Sequence, residues 1–138
     1  MLFTNSHDKR TSLGLLLQRV GLSAMLSIHC VPKLLGGLPQ WTLAGKVLHF
    51  INLGVPVHFI GLVILILEAI AILSLLSGYF FRSSCVLMAI LHGLYCYSYF
   101  SIGYKTLTLF ALGLTTVFIG LMNTGPGRYA ISVKLEKK

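Results

Sequence analysis

Glu68 sits near the middle of FIGLVILILEAIAILSLLS, an apolar run from Phe59 to Ser77. Such a run is long enough to cross a bilayer, which takes about 20 helical residues. A carboxyl group at that depth costs free energy unless it is protonated, ion-paired or set against a wet cavity. The chemistry open to this chain therefore turns on what Glu68 faces. The other candidates are Arg19, His29 and Lys33 in the first apolar segment, and His92, Tyr95 and Tyr99 in the third. At helical spacing Arg19, Ser23, His29, Cys30 and Lys33 share an arc of about 120°. Cys85, Met88, His92, Tyr95, Cys96 and Tyr99 share one of about 100°. Polar stripes of this kind face protein rather than lipid.

The elements that position them are read from hydropathy and breakers. Residues 1–11 form a polar tail, and Thr11 or Ser12 can cap the first helix. Apolar segments are expected over residues 13–35, 56–78, 83–102 and 106–122, together making one transmembrane domain over residues 1–138. Gly36, Gly37 and Pro39 end the first segment. A short interfacial helix from Trp41 to Leu53 is expected between helices 1 and 2, because Trp41, Lys46 and His49 suit the headgroup region. Pro56 suits a first helical turn. In the fourth segment Thr108 and Thr115 share one face, and Gly113 and Gly120 share another that would let helices approach closely. The expected fold is all-α, an integral membrane four-helix bundle.

Charge sets the expected orientation. The 138 residues are 56% hydrophobic and 10% charged, with a formal net charge of +8. Soluble domains carry about 25% charged residues. The basic residues cluster at the ends of apolar runs, so membrane topology explains them and nucleic acid is not implied. Lys9, Arg10, Arg82, Arg128, Lys134, Lys137 and Lys138 fall on one side, against Lys33, Lys46 and Lys105 on the other. That bias places both termini in the cytoplasm. The N-terminus lacks the order of a cleaved signal peptide, so the first span is expected to stay in the membrane. Cys30, Cys85 and Cys96 form no CxxC and suggest neither a disulfide framework nor a redox motif.

With a rise of about 1.5 Å per residue, Arg19 lies roughly 6–9 Å below the cytoplasmic edge, and Glu68 and His92 each lie roughly 13 Å below it. An intramembrane cluster follows as an expectation: Glu68 ionised and paired with Arg19, with His92 in reach. On that expectation Glu68→Gln strands Arg19 and lowers stability markedly. His29 and Lys33, one turn apart, form a second candidate site at the outer end, for an anion or a quinone head. Tyr95 and Tyr99 are candidate quinone contacts beside His92. Each group also has a purely structural reading: an ion pair, a packed helix interface, or a lysine snorkelling to headgroups. No metal site is indicated, since adjacent Cys30 and His29 diverge on a helix. His29 and His92 differ too much in depth for a bis-histidine haem. Gly125-Pro126-Gly127 lacks the strand and helix of a phosphate loop.

The order of motifs resembles the DoxX family of small four-helix membrane proteins, over roughly residues 19–129. Arg19-Val20-Gly21 opens the match, and His29-Cys30-Val31-Pro32-Lys33 closes the first helix. A Gly-Leu-Pro loop follows, then Glu68, Gly78 and Arg82, and finally Gly125 to Tyr129 reading GPGRY. Cys30 replaces the family's glycine, and AIS replaces SLD after GPGRY. The resemblance implies a multi-pass protein of the bacterial inner (cytoplasmic) membrane. It further implies a loose redox theme, with some members serving as subunits of thiosulfate:quinone oxidoreductases or in quinone and thiol stress. No cofactor motif is evident in the sequence, so a redox partner subunit or the quinone itself would carry electrons. The alternative class is a non-catalytic membrane scaffold or assembly factor, or a small permease, although no inverted repeat supports transport. Partners on either reading are the lipid bilayer, a further subunit or a second copy of the chain.

Overall fold

The computed structural model describes residues 2–48 and 54–127, with side chains from Arg10 onward. Five helices follow in order: α1 (Leu2–Leu35), α2 (Gly37–Lys46), α3 (Val57–Ser77), α4 (Phe81–Ile102) and α5 (Lys105–Thr124). No strand occurs among the described residues. Among the described residues four helices are long and apolar enough to span a membrane: α3, α4, α5 and the Arg10–Leu35 part of α1. Their outward side chains agree. Ile28, Leu73, Leu109 and Phe100 are 67–77% exposed, a surface that suits hydrocarbon rather than water.

The helix ends differ from expectation in instructive ways. The polar tail is helical from Leu2, because residues 2–13 contain no glycine or proline to stop a turn. Between α1 and α3 the helix is Gly37–Lys46, not Trp41–Leu53. Gly36 and Gly37 (φ +70°) turn the chain, while Pro39 lies in the first turn of α2, where its missing N–H costs nothing. His49 to Leu53 lie outside the described residues, as do Arg128 and the tail beyond it. Gly78 ends α3 in the left-handed region (φ +80°), its N–H bonded to Ser74 O at 2.8 Å. Phe80 also has positive φ (+50°), so the 78–80 turn is tight enough to lay α4 back along α3.

α3 is the central element, touching α1, α2 and α4, while α5 packs on α4. The contact between α2 and α3 is backbone on backbone. A Cβ at Gly61 would lie 1.7 Å from Trp41 O, and one at Gly45 would lie 2.0 Å from Val57 O. Trp41 Nε1 donates to Leu34 O at 2.9 Å and ties α2 back to α1. By contrast Gly113 and Gly120 have nothing within 4 Å. The close approach expected there does not occur within the chain. Leu75 on α3, Cys85 and Met88 on α4 and Phe118 on α5 are fully buried.

The bundle is not closed on all sides. No Cα of α1 comes within 8 Å of a Cα in α4 or α5. A cleft therefore runs between α1 and α5, with α4 as its floor.

Candidate functional site

Arg19 lies outside this cleft, against the C-terminal end of α3. Its Nε donates to Leu75 O and its Nη2 to Leu76 O, both at 2.9 Å, and its Nη1 donates to Pro126 O at 2.8 Å. Leu75 and Leu76 lie in the last turn of α3, where carbonyls have no helical partner and the helix dipole is negative. The guanidinium also lies 5.3 Å from the centroid of the Phe81 ring. Arg19 is 1% exposed. A planar fork with five N–H donors suits three diverging carbonyls, which a lysine could not match.

The expected ion pair with Glu68 is therefore absent. The seven residues from Glu68 to Leu75 rise about 10 Å along α3, and the ends of α3 and α5 capture the arginine first. The error lay in the partner rather than in the burial. Matching depth made a carboxylate look necessary, whereas backbone carbonyls at a helix end supply equivalent acceptors.

Glu68 is 4% exposed and instead accepts a 2.5 Å hydrogen bond from the Tyr95 hydroxyl on α4. Cys30 on α1 lies beside it, its thiol 3.5 Å from Leu65 O. Lys33 of α1 borders the same space as Glu68. Lys33 Nζ is 2.7 Å from His29 Nε2. An ammonium has donors only, so the imidazole nitrogen accepts, and His29 carries its proton on Nδ1. His92 is placed differently again. Its Nδ1 lies 2.9 Å from Met88 O, so Nδ1 donates and Nε2 is left for the cleft. The His92 ring packs against Tyr95 and Phe118, with centroids 5.5 Å and 5.4 Å away.

These groups border two adjoining cavities. The cleft between α1 and α5 has a volume of about 370 Å³ and is mostly apolar, with Met25 and Phe110 on its sides. Its polar floor is His92, Tyr95 and Tyr99, with His29 at one edge. The second cavity, a chamber of about 490 Å³ under α2, is bordered by Lys33, Gln40, Lys46, Glu68 and Ser98. His29, Tyr95 and Tyr99 belong to both walls. So the structure joins Glu68, Tyr95, Tyr99, His92, His29 and Lys33 into one region and leaves Arg19 in another. Among the described residues no three His, Cys, Asp or Glu side chains group as metal ligands.

Sequence reasoning missed Ser98 and Gln40. Ser98 was within reach of the same argument, since it lies one turn beyond Tyr95 on the polar stripe of α4. The apolar cleft walls carried no signal, because Met25 and Phe110 resemble any lipid-facing residue of their helices. No family model, curated protein or solved structure matches this chain.

Proposed function

We propose that this chain is a DoxX-like subunit of a bacterial inner-membrane, quinone-linked oxidoreductase system, with both termini cytoplasmic. The observation that carries the reading is the lateral cleft between α1 and α5, apolar on its sides and polar on its floor. A lipid-soluble ring can enter such a cleft from the bilayer without crossing water. The floor offers the donors and acceptors that a quinone and its reduced form need. Tyr99 O–H and His29 Nδ1–H can donate to a carbonyl oxygen, and His92 Nε2 can accept from a hydroxyl. Tyr95, hydrogen-bonded to Glu68, places a proton-carrying pair at the inner wall. A bound quinone would supply two-electron, two-proton chemistry. The chain's own residues orient the ring and hold protons at Tyr95 and Glu68, while a partner subunit delivers electrons.

The test is purification in mild detergent and mass spectrometry of the extracted quinones. Wild type is expected to carry near-stoichiometric quinone, and a Glu68→Gln, His92→Ala double variant is expected to lose it. Absence from both proteins would favour a non-catalytic scaffold or assembly factor. One observation favours that second reading. Gly113 and Gly120 lie in open space on the outer face of α5, where a helix of another subunit or of a second copy could approach closely.

A further inference from the structure

We infer that the chamber under α2 is a second binding site, for an oxyanion held by Lys33 and Ser98. The ligand class is a phosphate, sulfonate or carboxylate group, free in solution or carried on an amphiphile. This site does not depend on a quinone in the cleft.

The first observation is Ser98. Its hydroxyl is fully buried and has no hydrogen-bond partner. Helical serines and threonines usually return the hydroxyl to a carbonyl one turn back. Ser27, Ser101 and Thr115 do so here, donating to Ser23 O, Ser98 O and Ala111 O. Ser98 does not, and it lies in the chamber wall. An unmade hydrogen bond at a buried hydroxyl is unfavourable, and a ligand acceptor removes that penalty.

The second observation is Lys33. One of its three N–H donors goes to His29, and the side chain borders the same chamber. Lys33, Lys46 and Glu68 all border the chamber. Glu68 accepts from Tyr95 and makes no hydrogen bond with Ser98. Gln40 adds an amide at the wall. Charge-assisted hydrogen bonds in a site of low dielectric are the strong ones, so a small oxyanion gains most from this set. Ser23 supplies an internal control. It is also fully buried and unpartnered, but it lies outside both cavities.

The experiment follows thermal unfolding of the full chain in an uncharged maltoside detergent at constant ionic strength. The probes are sodium phosphate, sodium sulfate, dodecyl phosphate and, as the reference anion, chloride. A ligand that binds the folded state raises the midpoint in a saturable way. Saturation with inorganic phosphate or sulfate supports a soluble oxyanion, and saturation with dodecyl phosphate alone supports a headgroup. In either case Lys33→Gln should weaken binding about tenfold or more, Ser98→Ala about three- to tenfold, and Ser23→Ala not at all. If Lys33→Gln does not fold, Ser98→Ala carries the comparison, with Lys33→Arg retaining binding. No saturable response to any oxyanion overturns the site. Binding by Ser98→Ala equal to wild type overturns it as well.

Discussion

Arg19 and Glu68 are both ionisable residues buried at membrane depth, and the structure treats them in opposite ways. Arg19 is saturated. Three of its nitrogens reach backbone carbonyls from two chain segments, and an aromatic ring lies nearby. Arg19 lines neither of the two cavities. Glu68 has one short bond to Tyr95, lies beside the Cys30 thiol, and borders a cavity together with a lysine, a histidine and an unpartnered serine. A buried polar group whose valences are all met by backbone is part of the scaffold. One that borders a cavity among unmet donors is a candidate for binding. Burial alone does not distinguish the two cases; the count of satisfied donors and acceptors does.

The comparison breaks most easily at Arg19. Arg19→Leu should cost about 3 kcal/mol or more, since it leaves buried carbonyls unpaired, and Arg19→Lys should recover only part of that. A detergent melt within experimental error of wild type would remove Arg19 from the scaffold. Gly61→Ala comes next, at about 3 kcal/mol, because the new methyl overlaps backbone and must push α2 off α3. Trp41 fluorescence should report that displacement, and binding in the chamber should fall while the Arg19 end stays intact.

Tyr95→Phe removes the donor to Glu68 and should cost about 1–2 kcal/mol. It should also release any quinone held in the cleft, read by extraction. Glu68→Gln is the sharper probe, since the amide still offers Tyr95 an acceptor. Its stability should stay within about 1 kcal/mol of wild type, the reverse of the marked loss that an Arg19 pair would require. A large drop in its melting temperature would return Glu68 to the scaffold. The smallest effect belongs to Gly113→Ala, within about 0.5 kcal/mol for the isolated chain. If that variant instead dissociates an oligomer on sizing, the outer face of α5 is an interface between copies.

Much of the architecture was legible in the sequence. Four spans, their order and the turns at Gly37, Gly78 and Gly103 follow from apolar length and from glycine's access to positive φ. The stripe on α4 also held, because 3.6-residue periodicity is local. The close approach at Gly45 and Gly61 was not seen, while Gly113 and Gly120, which looked equivalent, proved to face outward. A glycine permits close contact but does not specify which helix will make it.

By itself, then, the sequence determined that polar groups, Arg19, Glu68 and His92 among them, would be buried in a helical membrane bundle. Apolar run length and helical period are properties of a single segment, and each is enforced by the bilayer. Only the tertiary structure decided who partners whom. Arg19 found the open carbonyls at the ends of α3 and α5, and Glu68 found Tyr95 across α3 and α4. Those choices depend on rotation and offset between helices. Both are set by side-chain packing and backbone contact between segments far apart in the chain.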